Sequence, residues 1–221
     1  MPDPAPAVLF AAIAAGDVAA VAELIAGRPE LAAARDPDGV SATMHALYRG
    51  RPAIAELLAA ALPALDVFEA AALGRVERVG ELLAADPSAS AARSPDGFTA
   101  LHYPAFFGGD DAAVIAQALI DAGADVNARS DNEMAVLPLH SAVAGDRDDV
   151  TAVLLAAGAD VHATQSHGWT ALHGAAQNGA SATVERLLAA GANPVVSNDE
   201  GRTAGDLAAD AGHEALAARL G

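Results

Sequence analysis

The sequence contains nearly the same twelve residues twice. Residues 97–108 read GFTALHYPAFFG, and residues 168–179 read GWTALHGAAQNG. A glycine or small polar residue recurs a few positions into each apolar helical pattern, at Gly16, Gly50, Gly74, Gly108, Asp146, Gly179 and Gly212. The steps are 34, 24, 34, 38, 33 and 33 residues. A period near 33 indicates stacked helix–turn–helix units, none of which can bury its apolar face alone.

The best copy shows where the helices of one unit begin and end. Thr170 stands at an N-cap position, ALHGAAQ follows, and Gly179 ends a short first helix. ATVERLLAAG then supplies a second helix, which Gly191 closes. The stretches GADVNARSDNEMAVL and GADVHATQSHGW are rich in turn residues and too short for another helix. We expect them to form protruding β-hairpin fingers.

These motifs resemble the ankyrin repeat, whose pattern is close to G-x-T-P-L-H-x-A-A-x-x-G, then a second helix and G-A-D-V-N-A. The matching stretches are residues 97–102, 123–128, 138–140, 158–161 and 168–173. The resemblance covers residues 96–221 by motif and residues 7–95 mainly by helical pattern. It implies an all-α solenoid, one domain over residues 1–221 with about seven helix pairs and short β-hairpin fingers. The pairs are expected at 7–33 (an N-terminal cap), 36–62, 65–91, 96–128, 130–163, 166–196 and 199–221 (a C-terminal cap).

Several departures from the repeat pattern predict local differences. Residues 39–44 read GVSATM and lack the Leu-His pair, so a standard hairpin is less expected there. The step of 24 residues leaves no room for a finger between the second and third units, which we expect to join directly through residues 62–64. Extra residues around Asn132 and Glu133, and at 109–112, account for the step of 38. A shift of 58 positions also superimposes the first two units on the next two, and places Tyr48 and Arg49 on Phe106 and Phe107.

Composition limits the classes of function. The chain is 53% hydrophobic but only 4% aromatic, which favours helices packed closely through alanine. Its net charge is −17 and all 12 basic residues are arginine, so a nucleic acid partner is not expected. Cysteine is absent, which excludes disulfides and thiolate metal sites. With no basic leader and no uninterrupted apolar run of about 18 residues, we predict a cytoplasmic protein with no membrane partner. The lack of lysine and the abundance of alanine suggest a GC-rich bacterial source.

Histidine is the main candidate for catalysis or metal binding. His102, His140 and His173 share one repeat position at the start of a first helix, where we expect a structural role. His162 and His167 lie closer together on a finger, but no third ligand follows at a usual spacing. No nucleophile elbow, phosphate-binding loop or paired carboxylates appear. We therefore predict a non-catalytic protein without cofactor or metal, and keep a metal-assisted hydrolase using His162 and His167 as the alternative.

In ankyrin repeat proteins the partner usually meets the concave face, made of hairpin tips and first helices. Carried over by register, this resemblance selects the variable residues beside the hairpin glycine and before the helix-ending glycine. Aromatic and arginine side chains on this surface are typical anchors of protein interfaces. The candidate partner-binding residues are Val40, Tyr48, Arg49, Phe98, Tyr103, Phe106, Phe107, Met134, Val136, His167, Trp169, Gln177, Asn178 and Arg202.

The sequence thus predicts a monomeric scaffold that binds another protein. An acidic rim of Asp38, Asp96, Glu133 and Glu200 would favour a partner with a basic patch. Two alternatives remain open. Some rings, particularly Phe106 and Phe107, could cover the seam between neighbouring units, with packing favoured for Phe106. The same surface could instead serve regulatory self-association.

Overall fold

The computed structural model describes residues 3–221. Within that range the chain forms fourteen α-helices and three short 3-10 helices, the latter at Pro29–Ala33, Pro87–Ala91 and Ser166–Gly168. None of these helices is both long and apolar enough to cross a membrane. The α-helices are α1 (Ala5–Ala15), α2 (Val18–Gly27), α3 (Ala42–Tyr48), α4 (Pro52–Ala61), α5 (Val67–Ala72), α6 (Val76–Ala85), α7 (His102–Phe106), α8 (Ala112–Asp121), α9 (Pro138–Ala144), α10 (Asp148–Ala156), α11 (Ala171–Gln177), α12 (Ser181–Ala189), α13 (Ala204–Asp210) and α14 (Glu214–Leu220).

The helices pack in two layers. Each odd-numbered helix packs against the even-numbered helix that follows it, so α7 pairs with α8 and α9 with α10. The odd-numbered helices, which we call the first helices, also pack against one another from α5 to α13, and the even-numbered second helices do so from α6 to α12. Each pair therefore buries its apolar face against its neighbours, as expected of an α-solenoid.

Side chains at equivalent positions in successive pairs form the core. Leu101, Leu139 and Leu172 occupy the same repeat position at the start of α7, α9 and α11, and each is at most 2% exposed. Ile115 and Leu154, both fully buried, face them from second helices. The remaining core volume is filled largely by alanine, which allows neighbouring helices to approach closely.

One such approach leaves no room for a side chain. A Cβ atom on Gly145, which caps α9, would lie 2.5 Å from the carbonyl oxygen of Phe106 and 2.9 Å from that of Ala105. The backbones of α7 and α9 therefore touch at this point, and only glycine fits between them.

The turns between pairs are simpler than the predicted fingers. Within residues 3–221 no strand forms, and four single antiparallel bridges close the turns instead, joining Arg35 to Ser41, Arg93 to Thr99, Thr164 to Thr170 and Ser197 to Thr203. In each case the following helix begins within three residues of the second bridge residue, so the ladder has no room to extend. The turn at 35–41 has the same bridge as the others, although its helix lacks the Leu-His pair.

Three buried histidines join successive pairs, in the structural role expected of them. The Nε2 atoms of His102, His140 and His173 lie 3.0, 3.2 and 3.1 Å from the backbone oxygens of Val136, Trp169 and Arg202. In two of these histidines the backbone N–H of a threonine, Thr99 or Thr170, donates to Nδ1 at 3.1 Å. With Nδ1 accepting, Nε2 carries the proton and donates to the carbonyl of the next pair.

The array has a seam between α4 and α5. Only residues 62–66 separate these helices, which agrees with the expected direct connection, and α3 does not approach α5 as closely as other first helices approach one another in residues 3–221. The buried core correspondingly divides into two clusters, one from Leu9 to Leu58 and one that lies mainly between Val67 and Leu220. Polar contacts cross the seam, including an ion pair between Arg35 and Asp66 at 3.3 Å.

The neutral histidines make stability depend on pH. Burial lowers the pKa of both His102 and His140 to about 4. In the unfolded chain the same groups titrate near their ordinary pKa of about 6.5. Between pH 6.5 and 4 the unfolded state therefore binds more protons, so stability is fully present above pH 6.5 and is lost as the pH falls.

We expect the free energy of unfolding to decrease by roughly 1 kcal/mol for each of these two histidines between pH 7.5 and 5.5. Urea denaturation at the two pH values measures it. His102→Gln should show a smaller decrease than the wild type, and His162→Gln, at an exposed position, should match the wild type. Equal pH dependence in all three proteins would contradict the assignment.

A second prediction concerns the contact at Gly145. Gly145→Ala should destabilise the protein by roughly 1–3 kcal/mol, because the new methyl group forces α7 and α9 apart. Gly80 provides the matched control, since it lies within α6 and, apart from its chain neighbours and the backbone of its own helix, no atom lies within 4 Å of the place a Cβ would take. Gly80→Ala should therefore stabilise by about 0.5–1 kcal/mol. Thermal denaturation of both variants distinguishes them, and a neutral Gly145→Ala would disprove the close contact.

Candidate functional site

A cavity of about 490 Å³ opens along the first helices α7, α9 and α11 and the turns that precede them. Ten of the fourteen residues predicted to bind a partner line it: Tyr48, Phe98, Tyr103, Phe106, Phe107, Met134, Val136, Trp169, Gln177 and Asn178. The other lining residues are His102, His140, Ser141, Val143, Ala144, Gln165, Thr170, Ala171 and Gly174. No Asp, Glu, Arg or Lys is among them.

The cavity is formed by a difference in side-chain size between neighbouring pairs. The α7 side is bulky, with Phe106 and Phe107 at the end of the helix. At the position of Phe106, α9 carries Ala144 and α11 carries Gln177. At the position of Tyr103, α9 carries Ser141 and α11 carries Gly174. At the position of Phe106 the small residue of α9 lies between larger residues of α7 and α11, and at the position of Tyr103 both α9 and α11 carry small residues. The resulting space is the cavity.

The rings on the α7 side differ in how far they are buried. Phe106 is 44% exposed, whereas Phe107 is partly buried against the core. Phe107 packs edge-to-face with Phe106 and with Tyr48, at centroid distances of 4.8 and 5.2 Å. Phe107 thus fits the packing alternative. Tyr48 and Phe106 each contact Phe107 but remain 43% and 44% exposed.

A carboxylate fixes the two tyrosines. Asp96 accepts hydrogen bonds from the hydroxyls of Tyr103, at 2.9 Å, and of Tyr48 and Ser94. Tyr103 is only 2% exposed, so it forms part of the cavity's floor rather than its rim. Burial, together with the charge of Asp96, raises the pKa of Tyr103, and its hydroxyl stays protonated. The network holds the second pair against the fourth across the seam.

The four remaining predicted residues lie outside the cavity. Val40 packs partly against the core, and Arg49 is exposed at the C-cap of α3. His167 is exposed in a left-handed conformation, and its carbonyl accepts a hydrogen bond from the backbone of Asp199. Arg202 forms an ion pair with Asp210. They stand on turns and helices next to the cavity's walls, not on its surface.

Sequence reasoning missed the small residues that line the cavity. It selected large variable side chains, whereas Ser141, Ala144 and Gly174 contribute by being small. The signal was present in the register of the repeats, because these residues occupy the positions of Tyr103 and Phe106 in neighbouring pairs.

The structure gives no support to the metal site considered for His162 and His167. Within residues 3–221 no group of three or more His, Asp or Glu side chains is arranged to hold a metal ion. His162 is exposed, and its backbone N–H donates to Asp160 at 2.9 Å.

Exposed carboxylates lie close in sequence to residues that line the cavity. Asp110, Asp111, Asp131, Glu133 and Asp146 are exposed, and none of them forms a salt bridge with another described residue. Glu133 adjoins Met134 in the chain, and Asp146 follows Ala144 by two residues. An uncharged interior therefore opens at a negatively charged edge.

Comparison with known families identifies the repeat. The family model described as ankyrin repeats (3 copies) matches residues 67–165 and 139–220, which together span residues 67–220 of the 221-residue chain. The chain belongs to the ankyrin repeat family. Ankyrin repeats are generally protein–protein interaction modules. None of the curated proteins compared with the chain matches it. The matched region begins at the first residue of α5, immediately after the seam.

In this ankyrin repeat protein one ring nitrogen of a histidine that lines the cavity lacks a hydrogen-bond partner. The Nδ1 atom of His140 is buried without a hydrogen bond. In the equivalent pairs Thr99 or Thr170 supplies a hydroxyl, at 2.9 and 2.7 Å from Nδ1. Here Leu137 takes the place of the threonine, so the histidine keeps only its bond to the next pair.

A threonine at residue 137 should restore the missing hydrogen bond. Because threonine and valine have nearly the same shape, we compare Leu137→Thr with Leu137→Val, and expect the threonine variant to be more stable by about 1 kcal/mol. Thr170→Val should lose a similar amount relative to the wild type. Chemical denaturation of the three variants measures these differences. If Leu137→Thr and Leu137→Val were equally stable, the buried nitrogen would not be a hydrogen-bonding defect.

Proposed function

We propose that this chain is a non-catalytic scaffold that binds a partner protein on the concave face formed by its turns and first helices. The observation that carries the proposal is the cavity along α7, α9 and α11, which is lined by ten of the residues selected from the resemblance to ankyrin repeats. Concave apolar sites with a few polar groups are the usual form of a binding site.

The proposal is supported by the rigidity of the site. Phe107 is held by two ring contacts, and Tyr103 by its bond to Asp96. Side chains already fixed in the free protein lose little conformational entropy on binding, so more of the contact energy is available for affinity. Exposed Phe106 and Met134, at 44% and 50%, add apolar surface that no other described part of the chain covers.

Charge supports a partner with a basic patch. The net charge of −17 and the carboxylates beside the cavity would attract a positively charged protein and increase its association rate. The same charge disfavours a second copy of this chain, so we propose a monomer. We also propose that the chain forms one domain of seven helix pairs. We propose further that it acts in the cytoplasm, a reducing compartment with which its lack of cysteine agrees.

Partner capture tests the assigned face. Tagged wild-type protein, incubated with lysate of the source cells, should capture a protein that mass spectrometry identifies. The double variant Phe106→Ala with Met134→Ala should bind that purified partner more weakly by roughly 2 kcal/mol or more, as expected for exposed interface anchors. The matched control is Val114→Ala with Val195→Ala, since these valines are 53% and 72% exposed away from the cavity.

The control variant should bind like the wild type, and both variants should melt near the wild-type temperature. Unchanged affinity of the Phe106→Ala, Met134→Ala variant would show that the partner binds elsewhere. A size-exclusion series that shows dimers at higher concentration would favour self-association instead.

A further inference from the structure

We propose that the cavity receives a bulky apolar side chain from an extended segment of the partner, and that basic residues flanking this side chain pair with carboxylates at the cavity's edge. This inference rests on the proposed function and narrows the partner to one chemical class. It concerns the interior and the edge of the cavity, which differ in polarity and so require two kinds of group in one ligand.

The interior selects an uncharged, bulky group. Its lining carries no charged side chain, and the hydroxyls of Tyr48 and Tyr103 are already bonded to Asp96. Accessible ring surface remains on Phe106 and Trp169. Aromatic rings bind further rings favourably in edge-to-face or offset geometry. The volume of about 490 Å³ lies within the range of pockets that enclose a ligand group.

The depth of the cavity makes a single inserted side chain more suitable than a flat contact. Ala144 and Ser141 on α9 leave space where α7 carries Phe106 and Tyr103. A side chain entering at this point would contact α7 on one side and α11 on the other. It would fill a gap that the repeat's own side chains leave open, which is how buried anchors of protein interfaces usually bind.

The edge selects positive charge. Glu133 and Asp131 lie in the turn that presents Met134, and neither forms a salt bridge with a described residue. Arg147 pairs with Asp149, and both Arg93 and Arg129 donate to backbone carbonyl oxygens in or beside this turn. None of these arginines forms a salt bridge with Asp131 or Glu133. Basic residues flanking the inserted side chain would supply such a pair.

Three peptides separate these requirements. Gly-Arg-Gly-Phe-Gly-Arg-Gly carries both features, Gly-Arg-Gly-Ala-Gly-Arg-Gly lacks the bulky side chain, and Gly-Glu-Gly-Phe-Gly-Glu-Gly reverses the flanking charge. Trp169, the only tryptophan of the chain, lines the cavity and reports binding by its fluorescence. At low salt we expect the first peptide to bind at least tenfold more tightly than either of the others, and to weaken as salt is added.

Variants of the protein locate the bound peptide. Ala144→Phe fills the cavity with the residue that the equivalent position of α7 already carries. It should weaken the binding of the first peptide at least tenfold. Val114→Phe adds the same bulk on the exposed surface of α8 and should have no effect. Asp131→Asn with Glu133→Gln should weaken binding several-fold and reduce its salt dependence. Glu23→Gln with Glu77→Gln, at exposed sites on second helices, should not.

Several results would overturn the inference. Equal binding of the alanine peptide would exclude the inserted side chain, and equal binding of the acidic peptide would exclude the charged edge. If toluene, a neutral ring without flanking charge, bound as tightly as the first peptide, the cavity would be a site for small apolar molecules. If none of the peptides bound while a captured partner still depended on Phe106 and Met134, this inference would be wrong and the proposed function would stand.

Discussion

The architecture depends on the contact between each pair of helices and the next. A first helix of five to eleven residues is too short to be stable alone, so its free energy must come from its neighbours. In the best-formed part of the array the contact has two components. Buried leucines such as Leu139 supply apolar area, and a neutral histidine donates a hydrogen bond to the turn of the following pair. The histidine also fixes distance, because its bond cannot form unless the next turn lies within about 3 Å of Nε2.

The seam shows what happens where that contact is missing. The third pair carries Glu69 at the position of the histidine, and the second carries Met44. At the seam the relevant residue is Met44 of the second pair, because a histidine there would bond the turn of the third pair. Without that bond, and with only residues 62–66 between α4 and α5, the core separates into two clusters. Side chains then provide the connection, above all the bond from Tyr48 to Asp96, which passes over the third pair to reach the fourth. The similarity between positions 58 residues apart accounts for the place of Tyr48, because Tyr48 corresponds to Phe106 and both residues line the cavity.

Most of the fold could be predicted from sequence, because the residues that determine it have fixed chemistry at a fixed spacing. Thr170 caps a helix, Gly179 adopts a positive φ after it, and His173 bonds the next turn wherever these residues recur in register. The predicted hairpin fingers are not confirmed, because turn residues indicate a reversal of the chain but not how many backbone hydrogen bonds follow it. The number is set by where the next helix begins.

The candidate site was predictable to a lesser degree, for a physical reason. A search for anchors finds large side chains such as Trp169 and Phe106, since bulk and polarity are properties of single residues. A cavity is a property of several residues at once, and its depth comes from atoms that Ser141 and Ala144 do not have. Only when the pairs are stacked does the difference in side-chain size between α7 and α9 produce a cavity.

The same turn that contributes Met134 to the cavity also carries negatively charged residues. The turn that contains Asp131 and Glu133 is longer than the others, and the backbone N–H of Ser130 donates to the carbonyl oxygen of Val136 at 2.7 Å across it. Met134, in the same turn, lines the cavity and is half exposed. An insertion in one turn and two small residues in the following helix therefore shape the same part of the surface. Each change by itself would be an ordinary variation of a repeat, since turns tolerate insertions and exposed helix positions tolerate alanine. Their coincidence in the fifth pair gives this surface both a cavity and exposed carboxylates.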